Sequence, residues 1–207
     1  MKSLLLIGGG GHCKSCIDVI NHLNEYQIKG IVEKEESCNN GPIKKNEVIG
    51  YDYDLPRLIE EYKNALVTVG QIKNSNIRKK LYTKLKNLNA GLPIIISPTA
   101  YVSKNSEINN GTIIMHNAIV NTDAVIGENC IVNNMALIEH DVNIDSHCHI
   151  STGSRINGGV RIESEVFIGS GAVILEEIRI GKGSVIGAGT TVTKDIPEGS
   201  LFIGKHE

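Results

Sequence analysis

From Ile96 to Val192 every sixth residue is Ile or Val, seventeen positions without an exception. If an aliphatic residue fell at each position about three times in ten, such a run would arise on the order of once in a billion trials, so the segment is a repeat. A six-residue period with one inward aliphatic residue fits a parallel β-helix, in which each hexad makes one flat side and three hexads close a triangular coil of eighteen residues. Residues eighteen apart then stack at the strand spacing of about 4.8 Å. Small residues recur four positions after the aliphatic one, at Ala118, Ala124, Cys130, Ala136, Cys148, Ser154 and Ala172 among others, and Ile126, Ile168, Ile180 and Ile186 are each followed by Gly. With no Trp and only 4% aromatic residues, the interior must be built from small aliphatic side chains, as closely stacked coils require.

Residues 1–93 carry a different pattern. Leu4 to Ile7 is a short apolar run ending in Gly8-Gly9-Gly10-Gly11, and Ile17, Ile20 and Leu23 follow at helical spacing. Ile28 to Glu33 reads as a strand, Leu55 to Lys63 as a helix and Ala65 to Val69 as another strand. Asn74 to Asn89 reads as a helix with Ile77, Leu81, Leu85 and Leu88 on one face. The polar stretch Ser37 to Lys45 reads as a loop. The expected fold is therefore α/β plus β: a small Rossmann-like parallel-sheet domain over 1–93, a parallel β-helix over 94–199, and a tail over 200–207. Ligands of the first domain are expected at the carboxyl ends of its strands.

The formal charge of −2 gives no footprint for nucleic acid or an anionic membrane. The apolar run near Met1 is too short for a signal segment or a membrane span, which points to the cytoplasm. Five cysteines, an odd number in a chain that reads as reduced, imply no disulfide framework.

Gly8-Gly9-Gly10-Gly11-His12 after the first strand, Gly70 followed by Ile77-Arg78-Lys79-Lys80, and Ile138-Glu139-His140-Asp141 inside the repeat resemble the hexapeptide-repeat, left-handed β-helix acyltransferases. More narrowly, the chain is similar to the sialic acid O-acetyltransferase family, which includes N-acetyltransferases of nucleotide-linked 4-amino sugars. The left hand comes from this resemblance, since crossovers are ordinarily right-handed. The resemblance further implies homotrimers with acetyl-CoA bound between adjacent β-helices, and a nucleotide-sugar or sialic-acid-type acceptor.

His140 is the candidate general base, because acyl transfer from a thioester requires proton removal from the attacking amine or hydroxyl and histidine titrates near working pH. Two residues after the inward Ile138, it should lie near an outer face or corner, where a solvated surface histidine is the alternative. By resemblance Asp141 takes the place of the acidic residue that raises the base's pKa, with Glu139 as a competing partner, and Asn133 matches an active-site asparagine, or else forms a corner ladder. His149, half a coil from His140, should sit on another side of the triangle, so a shared site needs a neighbouring subunit. The family match makes it an acetyl-CoA contact, together with backbone contacts at Ser170 and Ala188. Gly158 stacks one coil from His140 and either admits the pantetheine arm or is a plain corner glycine. Backbone N–H groups would stabilise the oxyanion. Many relatives end in Gly-x-Pro-Ala-Lys, whereas this sequence reads Phe202-Ile203-Gly204-Lys205-His206-Glu207, which implies weaker cofactor affinity.

The glycine loop suits a phosphate at a helix N-terminus. Cys13 replaces the third glycine of the dinucleotide fingerprint, which disfavours NAD. By resemblance Gly10, Gly11, His12 and Gly70 contact the acceptor, as do Glu33 and Lys34, the latter pair leaving the base of the nucleotide open. His116, His140, His147 and His149 supply enough imidazoles for zinc on paper, but the surroundings of His140 follow the acetyltransferase pattern and no metal is expected. Cys13-Lys14-Ser15-Cys16 has redox spacing yet follows a glycine loop, so helix packing is the preferred reading. Cys130 and Cys148 should stack inside the β-helix. Outside catalysis, a sugar-nucleotide sensor would keep the Gly10 to His12 loop without binding acetyl-CoA.

Overall fold

The computed structural model describes residues 1–35, 47–72 and 74–204. The expected loop at Ser37 to Lys45 lies outside them, as do Cys38 and residues 205–207. The contacts divide the chain into two units, Met1–Gly70 with Asn76–Ile95 and Gln71–Ser75 with Ile96–Glu207. The chain thus enters the second unit briefly at Gln71, returns, and crosses again at Ile96.

The first unit is a four-stranded parallel sheet in the order β3-β2-β1-β4, formed by β1 (Lys2–Ile7), β2 (Tyr26–Glu33), β3 (Val48–Tyr51) and β4 (Ala65–Val67). Helices α1 (Gly11–Asn21), α2 (Leu55–Tyr62) and α3 (Asn76–Asn87) accompany it. Leu5, Ile7 and Val32 of the sheet pack with Leu55, Leu58, Tyr82 and Leu85 of the helices. Strand β3 was absent from the sequence reading. In α3 Leu85 lies in the core with Leu81 and Leu88 packed against it, as expected, but Ile77 is 64% exposed and Arg78 only 1%. The cause at this first turn is polar: Arg78 Nη1 donates to the carbonyls of Val67 (3.0 Å) and Val69 (2.6 Å), and that buried charge-assisted pairing takes the inward place expected for Ile77.

The second unit is the left-handed β-helix, with two-residue strands stacked into sheets of five, seven and six strands. Successive pairings advance by eighteen residues, as in Ile113 with Ile131 and Ile131 with His149. The core holds the aliphatic column, including Ile126, Ile138, Ile150, Ile162 and Ile174, and the small column that contains Ala124, Cys130, Ala136 and Cys148. At each corner from Gly111 to Gly189 every sixth residue has a positive φ, and several of these are not glycine: Asn117 (56°), Met135 (57°) and Asp141 (60°) among them. The repeated left-handed turn lets so short a strand end and the chain bend to the next face. The final coil is shorter. Leu201–Phe202, within the segment set apart as a tail, pairs with Val185–Ile186 and adds the seventh strand of its sheet.

Candidate active site

His140 and Asp141 occupy the turn that follows strand Leu137–Ile138. The left-handed backbone at Asp141 brings its carboxylate beside the preceding side chain, and His140 Nδ1–H donates to Asp141 Oδ2 at 2.7 Å. Both side chains are exposed. This hydrogen bond raises the His140 pKa above the ordinary histidine value against an opposing desolvation, and the charges of Asp141 and Glu139 add to the rise. Glu139 is engaged elsewhere, accepting from Asn121 Nδ2 at 2.9 Å. With the proton on Nδ1, Nε2 holds the lone pair that a general base needs, and no described residue hydrogen-bonds it. One coil on, Gly158 lies against the ring, so that a β-carbon there would stand 2.7 Å from His140 Cε1.

His149 opens the two-residue strand His149–Ile150 in the seven-stranded sheet. Only 7% of it reaches solvent. Its Nδ1–H donates to the carbonyl of Gln71 at 2.6 Å, and its Nε2 accepts from Asn133 Nδ2 at 3.2 Å. Asn133 Oδ1 in turn accepts the backbone N–H of Asn134 at 2.8 Å. Phe167, the next residue in register, packs its ring edge-on at 5.3 Å. The segment Gln71–Ser75 is held to this face at its other end as well, where Ser75 Oγ donates to Glu165 at 3.1 Å.

Thr152, Ser170 and Ala188 form a column eighteen residues apart, joined by Gly171 N–H to Thr152 O (2.9 Å) and Gly189 N–H to Ser170 O (2.8 Å). Ser170 and Ala188 are exposed, and Ser170 Oγ pairs with Ser151 Oγ at 2.9 Å.

In the first unit the glycine run sits where β1 meets α1. Gly9 N–H donates to Glu33 Oε2 at 2.6 Å, and Lys34 N–H to Glu33 Oε1 at 2.9 Å. Glu33 therefore spends one carboxylate oxygen on the glycine turn and the other on its own loop, while Lys34 is exposed. Gly10 caps α1 without a side-chain hydrogen bond, and nothing lies within 4 Å of where a β-carbon would stand on Gly10 or Gly11. Gly70 closes the group, 3.5 Å from His12 Cβ by the same measure. His12 Nε2 faces Cys16 Sγ at 3.4 Å, so its ring is turned back onto α1.

Two family models match the chain: the PglD N-terminal domain over residues 3–85 and the bacterial transferase hexapeptide (six repeats) over residues 159–194. The acetyltransferase domain of PglB from Neisseria gonorrhoeae is 32% identical, with a TM-score of 0.84 over 96% of this chain and 95% of that one. PerB from Caulobacter crescentus, solved with CoA and GDP-perosamine, is 30% identical, with a TM-score of 0.89 over 99% of this chain and 95% of that one. The chain belongs to the hexapeptide-repeat, left-handed β-helix acyltransferases. A curated member, UDP-N-acetylbacillosamine N-acetyltransferase of Bacillus subtilis, is 32% identical over 122 residues, which are 56% of this chain and 52% of that protein. The match thus spans about half the length of that curated relative.

Within this acyltransferase chain the sequence-derived residues fall into separate groups. His140, Asp141 and Gly158 share one corner. Asn133 and His149 share another face, with Ser170 and Ala188 on the corner beside it. Gly10, Gly11, His12, Glu33, Lys34 and Gly70 gather at the carboxyl edge of the sheet. Among the described residues no group of three or more His, Cys, Asp or Glu side chains converges on a metal position. Sequence reasoning missed Gln71, Asn121 and Phe167. Gln71 acts through its carbonyl, which no side-chain pattern reveals, whereas Phe167 could have been found by counting eighteen from His149.

Proposed function

We propose that this chain transfers an acetyl group from acetyl-CoA to the 4-amino group of a nucleotide-linked deoxyamino sugar. The observation that carries this reading is the His140–Asp141 pair: a solvent-facing imidazole whose Nδ1–H is held by a carboxylate at 2.7 Å and whose Nε2 is open. His140 Nε2 takes a proton from the attacking amine as the N–C bond to the thioester carbonyl forms, and Asp141 stabilises the imidazolium that results. The C–S bond then breaks, the thiolate of coenzyme A leaves, and His140 returns its proton to solvent or to that sulfur. The named activities of the curated relative and of the perosamine N-acetyltransferase from Caulobacter crescentus support an amino-sugar acceptor, as does the PerB complex with GDP-perosamine. The open backbone at Gly10 and Gly11 supports the glycine loop as the seat of the nucleotide phosphates, with His12, Lys34 and Gly70 nearby.

The chain acts as a homotrimer in this reading. His140 lies on a different side of the coil from Asn133 and His149, and a site that combines them draws on two copies. Exposed Tyr101, Ile119 and Met135 supply apolar surface for such a contact. Ser170 and Ala188 then offer backbone groups to acetyl-CoA, and His149 serves that site through Asn133. No described helix is long and apolar enough to cross a membrane.

The test is thiol release from acetyl-CoA with UDP- and GDP-linked 4-amino sugars and with free and CMP-activated sialic acids, comparing the native chain with His140→Ala. Turnover of one amino sugar, with a loss of about 10²–10⁴-fold in the variant, is expected. Turnover of a sialic acid instead would move the acceptor to a hydroxyl, and equal rates in the variant would remove His140 from the reaction.

A further inference from the structure

Gly158 follows His140 by one full coil, in a column whose other members include Thr122 and Glu176, so the corner itself accepts a β-carbon. Nor does the backbone demand glycine there, because the left-handed residue of that turn is Gly159 (φ 70°). What excludes a side chain is the imidazole. A β-carbon on Gly158 would lie 2.7 Å from His140 Cε1, 2.8 Å from Nε2 and 3.4 Å from Nδ1. The glycine backbone is pinned between coils, with Gly159 N–H donating to His140 O and Glu177 N–H donating to Gly158 O, both at 3.0 Å. Under a larger residue the ring is the part that yields. We propose that Gly158 is a positioning residue: its bare α-carbon is the seat across which the His140 ring lies while Nδ1 reaches Asp141.

The inference rests on the reading of His140 as the base, and it assigns Gly158 a role distinct from passage of the pantetheine arm. Because His140 is exposed, a ring displaced by Gly158→Ala swings into solvent at little cost to the fold, but it leaves the 2.7 Å bond to Asp141. A misplacement of this kind costs roughly 10²-fold in rate, even though no reacting group has been removed. The separation of stability from rate is what distinguishes a seat from a corner glycine.

The experiment follows the His140 Cε1 resonance through a pH titration in the full chain, for the native protein, Gly158→Ala, Asp141→Asn and the double variant, without substrate. The Gly158→Ala midpoint should fall toward that of Asp141→Asn, and the two changes should not add in the double variant. In turnover, kcat should fall with the KM for acetyl-CoA unchanged. A native midpoint in Gly158→Ala would overturn the proposal, and so would a raised KM with kcat intact. If the alanine instead costs thermal stability, removal of the ring in H140A/G158A should restore the melting temperature; failure to restore it would also overturn the seat. The titration needs no acceptor, so absence of turnover on every acceptor would defeat the proposed function while leaving the seat tested.

Discussion

The pairing of His140 with Asp141 depends on a conformation that few residues adopt. At φ 60° Asp141 folds its carboxylate back toward the side chain before it, so that the short Asp reaches Nδ1. Asp and Asn enter this region more readily than other β-substituted residues, which explains how one residue serves both the corner and the base. The pH consequence has a definite sign. The active form is the neutral imidazole, and its pKa is raised first of all by the Asp141 hydrogen bond, so the acid limb of kcat/KM lies above the ordinary histidine value. Asp141→Asn removes the negative charge that holds the Nδ1–H and attracts the imidazolium, so the acid limb should move to lower pH while the plateau falls. Glu139→Gln should move it less, because Glu139 is tied to Asn121 and contributes only through its charge. Rate profiles for the two variants check this; a larger shift for Glu139→Gln would make Glu139 the partner.

At the scale of the element, a single hexad contains two glycines with unrelated physics. Gly171 has φ 67° and open space around the position of a β-carbon, whereas Gly169 has ordinary φ but a β-carbon there would fall 2.6 Å from the backbone carbon of Gly187 and 2.7 Å from Ile186 O. Gly171→Ala should therefore cost about 1 kcal/mol, the strain of a left-handed L-residue. Gly169→Ala should cost more, about 3 kcal/mol, because two coils of backbone must separate. Denaturant midpoints at constant m-value would measure both, and equal costs would contradict the close approach. The repeat itself was open to sequence reading because the inward aliphatic column and the small column each recur every six residues. The Ile-Gly steps were visible too, but their reason lay in the backbone of the next coil, sixteen to nineteen residues away. Helix α3 and most of its apolar face were legible, Ile77 excepted, since hydrophobic periodicity cannot anticipate an arginine that is buried to serve two carbonyls.

Across the whole molecule, what the sequence left hidden is carried by backbone groups and by long-range returns. The excursion of Gln71–Ser75 into the second unit rests on a carbonyl and a few polar side chains, Gln71, Ser75 and their partners, none of which forms a pattern. Cysteine placement, by contrast, was legible from spacing, and it supplies a test that covers both units. Cys13 and Cys16 are buried in the first unit and Cys130 and Cys148 in the second. Burial pushes the Cys13 thiol up to about 11, and it drives those of Cys16 and Cys148 upward as well. Since the thiolate is the reactive form, none of the four should react with a disulfide reagent at neutral pH until its unit opens. In a Cys38→Ser background the native protein should therefore show no fast-reacting thiol, and guanidinium should release four. Fast, stoichiometric modification of Cys13 or Cys16 in the folded state would instead show that the C-x-x-C turn is accessible, and would restore the redox reading that its burial argues against.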